Sequence, residues 1–176
     1  MGFLGNISAF LNTAKSFDLK SSTKFNIKYK EFVTVFDSID FNSLYGESPL
    51  PQSINDLTDI SKELDFIISN WRSDGESFSS DVKAYKEQIA TFNENYRVLL
   101  MKRIWVCQYD NFVILYNKFN AASFEVDIVI NNIEEFKAVA ESLIQCQNIP
   151  NLTTDPNKLI YFEEKLQIIL SKIGEN

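Results

Sequence analysis

From Ser73 to Phe119 the apolar positions step alternately by four and three: Phe78, Val82, Tyr85, Ile89, Phe92, Tyr96 and Leu99, then Trp105, Tyr109, Phe112, Tyr116 and Phe119. This is a heptad stripe, the spacing that seats one helix face against partner helices. It predicts a single long helix over about 74–119. Ser73-Asp74-Gly75-Glu76 has the S-x-x-E form of a helix-starting capping box. The run VLLMKRIWVC from Val98 to Cys107 is apolar nearly all round, which predicts cover on several sides. At about 1.5 Å per residue the helix would be roughly 66 Å long. The expected fold is therefore an all-α, elongated helical bundle organised around one long central helix, with antiparallel neighbours laid along it. A β-hairpin over 103–116, turning at Asp110-Asn111, is the competing local reading. It lacks an Asn-Gly or Asp-Gly turn and alternating flanks, so the helix is preferred.

Shorter stripes flank the long one. Leu57, Ile60, Leu64, Ile67 and Trp71 predict a helix over 53–71, with Ser53 and Asp56 as its start signal. Val126, Val129, Ile133, Phe136, Ala140 and Leu143 predict another, ending before Asn148-Ile149-Pro150. Asp155-Pro156 opens a last helix with Leu159, Phe162, Leu166, Ile169 and Ile173 inward, and Gly174 closes it. Upstream, Tyr29, Phe32, Val33, Phe36 and Ile39 predict a short helix over 29–39. Residues 18–24 read as a polar linker, and the alternation in 25–30 admits a short extended piece. Gly46, Pro49 and Pro51 make 40–52 the clearest breaker region. It separates an N-terminal arm, 1–48, from a main bundle, 53–176, the two expected to form one folded unit. The arm opens with an amphipathic helix over 3–17. Phe3, Leu4, Ile7, Phe10, Leu11, Ala14 and Phe17 share one arc, and the opposite face is small and uncharged.

Charge sharpens this picture. The chain carries 17 basic and 24 acidic residues, a net −7. Lys15, Lys20, Lys24, Lys28 and Lys30 stand against Asp18 alone in residues 1–30, a local +4 that leaves the remainder at −11. An acidic body repels phosphate backbones, so nucleic acid is not an expected partner. Two cysteines make no disulfide framework. If the chain turns back near Ala122, Cys107 lies level with position 137, roughly 13 Å short of Cys146, which is too far for a bridge. Both are expected as small buried apolar residues in a reducing, cytoplasmic setting. No secretory signal or transmembrane span is apparent.

The residues for catalysis are largely missing. The chain has no histidine, which removes the commonest general base, the usual nucleophile pairs and most zinc sites. No phosphate-cradling glycine loop occurs among the five glycines. Glu134-Glu135 and Glu163-Glu164 are adjacent on helices, where neighbours diverge by about 100°, and read as solvated faces. Lys102 and Arg103 are the most unusual charges, expected to reach outward or to pair with Glu134, Glu135 or Glu141. No enzyme activity, catalytic residue, metal or cofactor is expected. The leading expectation is a non-enzymatic protein-interaction module, such as an adaptor, inhibitor or immunity-type binder, offering an acidic helical surface to a basic protein partner or a second copy. Its expected interface residues are Phe3, Leu4, Ile7, Phe10, Leu11 and Phe17. The alternative is a peripheral membrane-binding or pore-related protein that uses the same amphipathic helix on a membrane surface.

Overall fold

In the computed structural model, residues 20–44, 49–71 and 80–174 are described, and every regular element among them is helical. Helix α1 spans Ser21–Ser38, a 3-10 turn Phe41–Leu44, α2 Gln52–Ser69, α3 Ser80–Ala121, α4 Val126–Cys146 and α5 Pro156–Gly174. The all-α class and the long central helix are as expected. The capping box at 73–76 and the amphipathic segment 3–17 lie outside the described residues. Residues 103–116 are helical throughout. The chain divides into two compact units, with α3 as an element of both: Asn95 belongs to the first and Tyr96 to the second.

The first unit packs α1 and α2 with the opening turns of α3. Val82, Tyr85 and Phe92 of the heptad stripe are buried, as are Leu57, Ile60 and Leu64 of α2. Tyr85 donates its hydroxyl hydrogen toward the Ser61 carbonyl at 3.0 Å and the Asp65 carboxylate at 2.9 Å. Its ring meets Phe25, Phe32 and Tyr29 edge-on at 6.1, 5.1 and 6.4 Å. Helix α1 is longer than the 29–39 expectation. It begins at Ser21 and absorbs residues 21–24 of the predicted linker and the possible extended piece. The physical reason is the stripe Phe25, Lys28, Phe32, Val35, whose four residues are all buried. Sequence patterning breaks at Lys28 because a lysine is not counted as apolar. In the fold its ammonium is held 2.9 Å from both Glu31 and Glu63, which compensates its burial. The start of α2 also differs. Pro51 occupies the N-cap and no side chain caps the helix. Ser53 lies inside it, and Asp56 instead accepts a hydrogen bond from the Gln52 side-chain amide at 3.0 Å.

The second unit is a three-helix core. Trp105, Phe112 and Phe119 of α3, Phe136 and Leu143 of α4, and Phe162 and Ile169 of α5 meet in one cluster. Phe162 stands perpendicular to Trp105 at 5.7 Å and meets Phe112 at 4.8 Å. Helix α3 ends in a Schellman arrangement: the Phe124 N–H reaches the Phe119 carbonyl at 2.8 Å, and the Ser123 N–H reaches that of Asn120 at 3.0 Å. The Phe119 and Phe124 rings then pack at 6.4 Å, the hydrophobic contact that accompanies this motif. Ser123 and Phe124 take left-handed backbone angles, φ 49° and 58°, which reverse the chain. Helix α5 starts as expected, with the Asp155 carboxylate accepting the Asn157 N–H at 3.0 Å.

One expectation fails in this unit. Cys146 is buried, its Sγ 3.3 Å from the Met101 carbonyl, but Cys107 is exposed. Cys107 stands two residues past the inward Trp105, about 200° around the helix. The run VLLMKRIWVC is covered on several sides, as expected, with Leu99 and Trp105 buried and Val98, Met101 and Ile104 packed on the core, and it is open at Leu100 and Val106.

Candidate interaction surface

A shallow concave surface of the second unit runs between α4 and α5. Helix α5 positions it through two faces of one sequence. Phe162, Leu166 and Ile169 recur toward the core, while Ile160, Glu163, Glu164, Gln167 and Leu170 recur at i, i+3, i+4, i+7 and i+10 on the outside. From α4, Ile144 and Gln147 complete the wall. A shallow open groove results, lined by Ile144, Leu166 and Leu170 and edged by Gln147, Glu163, Glu164 and Gln167. Ile144 is 44% exposed and Leu170 50% exposed. The Gln147 side-chain amide donates to the Glu163 carboxylate at 3.4 Å, bridging the two helices at the groove's edge. Chemically the groove offers apolar contact on its floor and carboxylate oxygens on its rim. It holds no nucleophile.

Phe3, Leu4, Ile7, Phe10, Leu11 and Phe17 lie outside the described residues. Glu163 and Glu164, read as plain solvated face, are brought to the groove. Glu134 is exposed and pairs with Lys137 at 3.1 Å on its own helix. Lys102 and Arg103 are half-buried on α3. The sequence reading missed Lys28, the most buried charge of the described residues at 6% exposure. Burial works to lower its pKa, but hydrogen bonds and ion pairs with Glu63 and Glu31 outweigh that and raise it. Extending the α1 stripe back to Phe25 would have exposed Lys28 as an interior position. A second feature escaped notice on the other side of α5. The Lys158 ammonium sits 5.0 Å over the Tyr109 ring, and that of Lys165 lies 5.4 and 5.3 Å over Tyr116 and Tyr161. The Tyr109 and Tyr116 contacts tie α5 to α3 as cation–π pairs, and the Tyr161 contact lies within α5.

Among the described residues no cluster of three His, Cys, Asp or Glu side chains could hold a metal ion. No helix among them is long and apolar enough to cross a membrane. No protein-family model, curated protein or solved structure matches the chain.

Proposed function

We propose that this protein is a non-enzymatic interaction module of the reducing cytoplasm, and that the α4–α5 groove receives an amphipathic helical segment of a protein partner. The observation that carries this reading is the side-by-side exposure of Ile144 and Leu170 beneath a rim bearing Glu163 and Glu164. Two branched aliphatic side chains half in water supply a reason to be covered, since burying apolar area contributes about 25 cal/mol per Å². The two carboxylates select what covers them. A helix that lays apolar residues at i, i+3, i+4 and i+7 on the floor and directs lysine or arginine at the rim satisfies both. The acidic charge of the whole chain favours approach by such a partner over an acidic one.

The test is a titration of the full chain with two synthetic helical peptides of identical apolar pattern, one flanked by lysines and one by glutamates. The lysine peptide should perturb the amide resonances of α4 and α5 around Ile144 and Leu170. Its affinity should fall with added salt and fall again in the Ile144→Asp, Leu170→Asp variant. Equal binding of both peptides, or perturbation confined to other helices, would remove the groove from consideration.

A further inference from the structure

Resting on the groove reading above, we infer that its occupant is residues 3–20 of a second copy of this chain, so that two molecules exchange N-terminal segments. The groove requires an apolar helical face with cations near it. Residues 3–17 carry Phe3, Leu4, Ile7, Phe10, Leu11, Ala14 and Phe17 at helical spacing, an arc too apolar to remain in water. The positions opposite that arc are Gly, Ser, Ala, Asn and Thr, whose small volume suits close approach to other helices. Membrane-surface helices instead load that side with lysine and arginine.

Charge and length agree. Lys15 falls one turn beyond Leu11, and Lys20 closes the segment. Lys15 would give the segment a cation for the Glu163–Glu164 rim if the arc lay on Ile144 and Leu170. Asp18 is the segment's sole carboxylate and follows the last residue of the arc. Fifteen helical residues reach about 22 Å, and the outer face of α5 from Ile160 to Leu170 extends about 15 Å. The segment therefore covers the face with a turn to spare. Every molecule carries one segment and one groove, so exchange between two copies forms two equivalent contacts about a twofold axis. A single segment–groove contact would bury less than a stable interface needs, and doubling it brings the total toward that range.

The experiment measures mass by light scattering across concentrations for the full chain and two double variants. One is Phe10→Asp, Leu11→Asp in the segment; the other is Ile144→Asp, Leu170→Asp in the groove. Wild type should be a dimer. Each variant should dissociate at a concentration raised about tenfold or more, with helical circular dichroism retained. Mixing the two variants rebuilds only one intact contact per pair, so the mixture should associate more weakly than wild type but no more weakly than either variant alone. Should the groove aspartates unfold the protein, Glu163→Lys, Glu164→Lys on the exposed rim replaces them. It should weaken the dimer, and Lys15→Glu in the same chain should recover it. A wild-type monomer at all concentrations, or a dimer indifferent to both double variants, overturns the inference. So does a mixture that associates no differently from wild type. If the lysine-flanked peptide still binds the groove in any of these cases, self-exchange alone has failed. If that peptide is also without effect, the groove reading falls with it.

Discussion

At Ser123 and Phe124 the backbone is left-handed without glycine, and each non-glycine residue there carries a steric cost of about 1–2 kcal/mol. Ser123 is exposed and its side chain is not needed for the turn, so Ser123→Gly should stabilise the fold. Relief of strain, less the greater entropy glycine loses on folding, leaves about 0.5–1 kcal/mol. Phe124→Gly should have the opposite sign, because it also removes the ring packed on Phe119 and Tyr116. A loss of about 1–3 kcal/mol is expected there, and urea denaturation of both variants checks the pair. Titration provides a second prediction at this scale. Tyr85 is pushed well above the ordinary tyrosine value by burial and then by the Asp65 carboxylate that accepts its hydrogen bond. Lys28 is raised by Glu63 and Glu31, which overcome its burial, and Cys146 by burial. In each case the folded state holds its proton more tightly than the unfolded chain. The resulting stability is complete below the unfolded pKa values and declines as pH rises past them. Denaturation midpoints should therefore be level from pH 7 to about 9 and then fall, first with the thiol and then near 10 with tyrosine and lysine. Tyr85→Phe should lower stability at neutral pH, by leaving Asp65 and Ser61 without its hydroxyl, and should flatten the alkaline decline. An unchanged alkaline slope in that variant would assign the loss to the other groups.

The heptad stripe of α3 was readable because its spacing survives into the core: Val82, Tyr85, Phe92, Leu99, Trp105, Phe112, Tyr116 and Phe119 are all buried. The same clarity gave the ends of α4 and α5, where Pro150 and the Asp155-Pro156 pair act locally. What escaped the pattern was interaction across distance. Lys28 is interior only because Glu63, on another helix, meets it. The groove was illegible for the same reason: Ile144 and Leu170 sit on different helices, and only packing brings them together. Cys107 shows the converse error: a cysteine at the end of a dense apolar run reads as buried, although a helix turns about 100° per residue and carries it to the open side. A prediction for this scale follows from Trp105, which is 2% exposed and braced by Tyr109 at 5.6 Å and Phe162 at 5.7 Å. Trp105→Ala removes the ring that links α3 to α5 and should cost about 3–5 kcal/mol. Chemical denaturation followed by circular dichroism measures it. A loss under about 1 kcal/mol would mean the core closes over the gap, since partial collapse is what lowers such costs.

Across the whole molecule, seven acids are in excess over bases, and the exposed ion pairs within single helices among the described residues do little to offset them. Lys62–Asp59, Lys83–Glu87 and Lys137–Glu134 are all exposed pairs within single helices, a class worth a few tenths of a kcal/mol. Unneutralised like charge therefore opposes folding at low ionic strength. Screening shortens from about 30 Å at 0.01 M salt to about 10 Å at 0.1 M. Raising sodium chloride through that range should thus stabilise the protein and lift Tm by roughly 2–4 °C, the shift about 1 kcal/mol produces at this chain length. A fall in Tm would mean that the exposed pairs outweigh the net repulsion. Deleting residues 1–19 supplies the internal control, because it removes Lys15 and Asp18 together and leaves the net charge at −7. The truncated protein should keep the salt response of the full chain while losing the apolar arc of Phe3 to Phe17. A change of mass on truncation with an unchanged salt slope would then trace self-association to that segment and not to the net charge. A slope altered along with the mass would instead show that the repulsion being screened lies between subunits.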